Sequence, residues 1–81
     1  MTLDLLPVRQ PAFVVDVRAP DHPEWQRHLI DLGFVPGEPV QVMRRSALAQ
    51  GRIVVRVGTS TYGLRRDEAA CVQVQAAGAA A

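Results

Sequence analysis

The apolar residues of this chain come in short alternating runs, and turn residues, mostly glycine and proline, separate them. Runs of this kind suit strands of about five residues and leave room for one modest helix. Phe13-Val14-Val15-Asp16-Val17-Arg18 reads as a strand, with Phe13, Val15 and Val17 on one face and Asp16 and Arg18 on the other. Val40 to Arg45 reads as a second strand, with Val40 and Val42 pointing one way and Gln41 and Met43 the other. A loop from Ser46 to Gln50, closed by Gly51, leads to a third strand from Arg52 to Val57, whose inward residues are Ile53, Val55 and Val57. Ser60 to Leu64 and Cys71 to Gln75 follow, the latter with Val72 and Val74 inward. Five short strands between such turns predict an all-β fold, a small β-barrel, because closure removes the edges that short strands would expose.

One segment breaks the pattern. Residues 21–32 read as a short α-helix, with Asp21 as N-cap, Glu24 completing a capping-box pair and Pro23 in the first turn. Trp25, Leu29 and Leu32 recur at helical spacing and are expected to pack on the barrel. Gly33 follows directly and can supply a left-handed C-cap. Arg65 to Ala70 reads as a single helical turn.

A chain of 81 residues, 48% of them apolar, holds one core and no second domain. Residues 1–75 are therefore expected to be one domain and residues 76–81 a flexible alanine-rich tail. The lone Cys71 excludes an internal disulfide and a cysteine-based zinc framework, and suits a reducing cytosol. Met1 to Pro7 contains Asp4 and no basic residue, unlike a signal peptide, and no apolar run reaches the roughly 20 residues that span a bilayer. A net charge of +1 argues against a dedicated nucleic-acid binder. All nine basic residues are arginine; a GC-rich genome explains this, and so does a preference for planar, bidentate contacts.

No Ser/His/Asp or Cys/His set has supporting context, so the chain is expected not to be an enzyme. Two constellations remain. Asp21, Glu24 and His28 fall at i, i+3 and i+7, with His22 beside the cap. They form either a solvated polar face or a weak site for a divalent ion such as zinc or ferrous iron, completed by water or by a second chain in a metal-bridged homodimer. The segment Leu32-Gly33-Phe34-Val35-Pro36-Gly37 is the most specific stretch. It is a helix cap and turn, and also a candidate partner surface, with Phe34 or Val35 as an apolar anchor near Arg27, Glu38 and Arg44. On the other reading Phe34 plugs the barrel.

Arg27 to Gly37, followed by Val40-Gln41-Val42, then Gly51 to Val57 and Leu64 to Val74, resembles the ferrous iron transport protein A (FeoA) family over roughly residues 3–75. His28 departs from a frequent family arginine. The resemblance implies an SH3-like barrel and a cytoplasmic, non-enzymatic accessory role beside FeoB, a membrane ferrous-iron transporter with a cytosolic GTP-binding domain. The same domain type closes iron-dependent repressors, which gives the alternative of a divalent-metal-responsive regulatory module. The resemblance implies no catalytic residue; no cofactor is expected to be required, and the low charge, the lack of a helix-turn-helix and the lack of a long apolar run lead to the expectation of no nucleic-acid contact by this chain alone and no insertion into the membrane.

Overall fold

Strict alternation fails at one residue of the first strand, and that failure decides which side chains enter the core. The computed structural model describes residues 1–45 and 51–78. In β1 (Ala12–Val17), Ala12, Val14 and Val17 are buried, while Phe13 and Val15 remain 46% and 45% exposed. The register to the last strand shifts between Val14 and Asp16, so Val15 is the extra residue of a β-bulge. The bulge turns Val14 and Val17 to the same side. Phe13 and Val15, expected to share a face with Val17, point outward instead.

The other strands are β2 (Pro39–Arg45), β3 (Ile53–Val57), β4 (Ser60–Leu64) and β5 (Val72–Ala76). All pairings are antiparallel, in the order β4-β3-β2-β1-β5. The expected inward sets Ile53, Val55 and Val57, then Val72 and Val74, are buried, and Val40 and Val42, expected to share a face, are buried with them. β2 and β3 share five register pairs, whereas β1 and β2 share only Ala12–Val40 and Phe13–Pro39. Leu64 from one sheet edge and Val74 from the other lie in one apolar cluster. A flat sheet could not bring them together, so the sheet wraps around its core as a barrel. The ladder does not join β4 to β5 among the described residues.

The N-terminal segment seals that opening. Thr2 bridges to Gln73 of β5, and Val8 bridges to Val42 of β2. Between them a 3-10 turn (Leu3–Leu5) drives Leu3 and Leu6 into the core with no exposed surface. Each such burial contributes roughly 1.5–3 kcal/mol. The segment is fastened by the Val74 N–H to the Met1 carbonyl at 2.8 Å and by the Arg45 guanidinium to the Leu6 carbonyl at 2.6 Å.

Helix α1 spans Pro23–Leu32, two residues shorter at its start than expected. Proline is favoured at the first helical position. That makes His22 the N-cap, with φ −141° and ψ 74°, and leaves Asp21 outside without a capping role. The stripe is also narrower than expected: Leu29 is fully buried and Leu32 packs on the core, but Trp25 does not join it. The single helical turn is α2 (Arg66–Ala69), where the Arg65 N–H donates to Glu68 Oε1 at 2.9 Å. β5 continues through Ala76, and the Ala77 N–H donates to the Pro11 carbonyl at 2.8 Å. Ala76 and Ala77 are therefore paired with the chain at Pro11 and Ala12. The expected Ser46–Gln50 loop and residues 79–81 lie outside the described residues.

Candidate functional site

Gly33 ends α1 in the left-handed region, at φ +116°. Its N–H donates to the Ile30 carbonyl at 3.0 Å, and the Phe34 N–H donates to the Leu29 carbonyl at 3.1 Å. This pattern satisfies helix carbonyls that would otherwise lack partners, and it commonly packs the residue after the glycine against the last turn. Phe34 accordingly lies beside Leu29 in the core, with no exposed surface. Its side chain plugs the barrel and cannot serve as the anchor weighed for it above.

A second turn follows at once. The Glu38 N–H donates to the Val35 carbonyl at 3.1 Å, with Pro36 and Gly37 between, and Gly37 takes φ +90°. Proline followed by a residue of positive φ makes a type II turn. The turn is locked to β1: the Gly37 N–H donates to the Val14 carbonyl at 2.8 Å, and the Val14 N–H donates to the Glu38 carbonyl at 2.9 Å. The outer surface of the loop is thus Val35, half-buried, with Pro36 and Gly37 exposed. Arg44 does not rim it, since it stands at the far end of β2 from Pro39.

The surface continues into a feature that alternation concealed. Phe13 pairs with Pro39, and with Pro11, Gln41, Arg56 and Ala77 it lines an open cleft of about 220 Å³. Phe13 reaches this cleft because the bulged strand turns it outward. Proline and phenylalanine supply apolar contact area at low entropic cost, and Arg56 supplies a charged rim. The cleft, part apolar and open, is suited to gripping a peptide segment or a partner's apolar side chain, and the hydrogen-bonded loop leads into it through Glu38 and Pro39.

The candidate metal ligands separate. Asp21 precedes the helix, and the His22 imidazole stacks on Trp25 with its Nδ1 3.5 Å from Glu24 Oε1. Glu24 and His28, joined by Asp31, line a shallow depression of about 440 Å³ with Arg27 and Pro23. Among the described residues no three His, Cys, Asp or Glu side chains are grouped to hold a metal ion. A site here would need water or a second chain to complete it. The remaining reactive side chain, Cys71, is partly buried, and its Sγ contacts the Asp67 carbonyl at 3.4 Å. Burial, then the charges of Asp67 and Glu68, push its thiol pKa up, which makes it a poor nucleophile.

Comparison with known proteins fits this geometry. A FeoA domain model matches residues 1–76. The crystal structure of Stenotrophomonas maltophilia FeoA complexed with zinc, described as a prokaryotic SH3 domain protein, is 34% identical, covers 93% of this chain and 89% of that one, and superposes with a TM-score of 0.82. The solution structure of FeoA from Chlorobium tepidum is 32% identical, covering 95% of this chain and 70% of that one, with a TM-score of 0.81. A manganese-dependent transcriptional repressor shares the fold over 94% of this chain and 41% of its own, at 20% identity and a TM-score of 0.81. No curated protein matches the chain.

Proposed function

The chain belongs to the FeoA domain family, and from that footing we propose that it is a non-enzymatic cytoplasmic accessory protein of ferrous iron uptake that contacts the cytosolic GTP-binding part of a FeoB-type transporter. The accessory role in iron transport follows from the family. The contact with the transporter is supported by one observation above all, the Val35-Pro36 turn locked to β1, which the chain joins through Gly37 and Glu38 to the cleft lined by Phe13 and Pro39. Among the described residues no helix is long and apolar enough to cross a membrane. The partner surface proposed here keeps Leu32, Gly33 and Phe34 as its support and Val35, Pro36 and Gly37 as its face.

The test is binding to the transporter's purified cytosolic domain. Val35→Asp and Phe13→Asp each place a charge on the surface without entering the core. Both are expected to weaken binding at least about tenfold with a nearly unchanged melting temperature, as loss of an apolar anchor would. Full binding by two well-folded variants would remove the surface from the interface.

A second reading is favoured by the zinc complex of the Stenotrophomonas relative. Here Glu24 and His28, with water or a second chain, bind a divalent ion weakly and alter assembly. Calorimetry with zinc or ferrous iron tests it. Heat above the buffer blank that falls in His28→Ala supports the reading, and unchanged heat in that variant removes it.

A further inference from the structure

The barrel end sealed by the N-terminal segment gathers arginines. Arg44 and Arg45 end β2, and the Arg45–Ile53 and Ile53–Leu64 pairs place Arg52 and Arg65 beside them. Arg66 lies against Gly51, its Nε 3.6 Å from where a Cβ on that glycine would sit. Five of the nine arginines therefore cluster at one end of the molecule. None of the five forms an ion pair with a carboxylate among the described residues. Three carboxylates share this end: Asp4 accepts from the Thr2 hydroxyl, Glu68 from the Arg65 N–H at 2.9 Å and Asp67 from the Glu68 N–H at 3.1 Å, and against the five arginines they leave a net charge of +2 there.

A large apolar residue stands in this cluster. Leu3 and Leu6 point inward from the 3-10 turn, and Leu5 between them is 67% exposed. The turn packs against α2, and the Leu6 carbonyl receives Arg45, so Leu5 is framed by the arginine-bearing elements. An outward leucine framed by guanidinium groups that form no ion pair among the described residues, Arg45 alone being held by the Leu6 carbonyl, fits a soft anionic surface better than a shaped protein pocket. Guanidinium groups are weakly hydrated and match phosphate oxygens in pairs, and an apolar side chain beside them can enter the headgroup layer.

We propose that this end of the barrel docks on the surface of an anionic lipid bilayer, with Arg44, Arg52, Arg65 and Arg66 facing the lipid phosphates and Leu5 entering between headgroups. The binding is peripheral, reversible and weakened by salt. It is independent of the transporter reading, because the Val35–Phe13 surface does not include these residues.

Co-sedimentation of the full chain with vesicles tests the proposal, using phosphatidylglycerol mixed with phosphatidylcholine against phosphatidylcholine alone. Low-salt binding to the first and not the second is expected. The double variant Arg44→Glu/Arg52→Glu, at exposed positions, is expected to lower it at least about tenfold. Leu5→Ser is expected to weaken it severalfold, and Arg18→Glu/Arg27→Glu, with the same net charge as the first double variant, is expected to bind more tightly than that variant. Circular dichroism confirms that each variant is folded. Absence of binding to anionic vesicles, equal losses in the two double variants, or equally tight binding to soluble polyglutamate would overturn it, the last by assigning the arginines to an acidic protein.

Discussion

The imidazole of His22 lies flat on the indole of Trp25, with ring centroids 4.1 Å apart and planes 13° from parallel. The pair sits over the first turn of α1, outside the apolar cluster that holds Leu29 and Phe34. An aromatic that stacks on a neighbour at the surface contributes far less than one enclosed by the core.

Trp25→Ala is therefore expected to cost about 1 kcal/mol, in the range of partly exposed substitutions. Leu29→Ala, one turn along the same helix, is expected to cost about 2–5 kcal/mol because it leaves a cavity. Urea titrations of the two variants give the comparison. A Trp25→Ala loss equal to that of Leu29→Ala would place the indole in the core.

The N-terminal seal carries a similar expectation. Leu3→Ala and Leu6→Ala each remove a fully buried side chain, and each is expected to cost about 2–5 kcal/mol. Leu5→Ala, between them, is expected to change stability by less than about 0.5 kcal/mol. Thermal melts of the three variants should separate into two strongly shifted and one nearly native.

Gly33→Ala forces a Cβ into the left-handed region that ends α1. The nearest other side chain is 3.9 Å away, so the cost is backbone strain and not a clash. A loss of about 1–2 kcal/mol is expected. Gly33→Asn, which tolerates that region better, is expected to lose less, and chemical denaturation measures both.

Cys71 makes a prediction about alkaline pH. Its thiol pKa is raised above the ordinary value of 9.0 by burial and then by Asp67 and Glu68. Below the ordinary value both folded and unfolded chains hold the proton, and the thiol leaves stability unchanged. Above it the unfolded chain releases the proton first, so stability falls as pH rises towards the folded pKa. Cys71→Ser is expected to lessen that decline, as followed by melting temperature above pH 9.0. Iodoacetamide is expected to alkylate the native protein more slowly than the urea-unfolded chain at the same pH.

Much of this fold was legible where side chains alternate without interruption. Ile53, Val55 and Val57 face inward as their spacing requires, and the turn at Pro36-Gly37 takes the positive φ that its glycine permits. β1 misled because a bulge adds one residue and swaps faces, and nothing in Phe13-Val14-Val15 announces it. Asp21 misled because two capping rules competed, and the preference of Pro23 for the first helical position won. The N-terminal seal carried a weaker signal, the three-residue spacing of Leu3 and Leu6, and one turn is too short to show a period. The candidate surface was half visible: the loop stood out, but the outward Phe13 beside it depended on the bulge. The arginines at the sealed end lie 22 residues apart in sequence at most, and only strand register gathers them.

The bridge between Thr2 and Gln73, with the Val74 N–H on the Met1 carbonyl, ties together parts of the chain that leave the ribosome at very different times. At synthesis rates of about 5–20 residues per second, the first residues wait roughly 4–14 s for β5 to emerge. The β2–β3–β4 meander can pair during that interval, because its contacts are local. Leu3 and Leu6 stay without their final seat until it ends, so the N-terminal seal is the last part of the barrel to form.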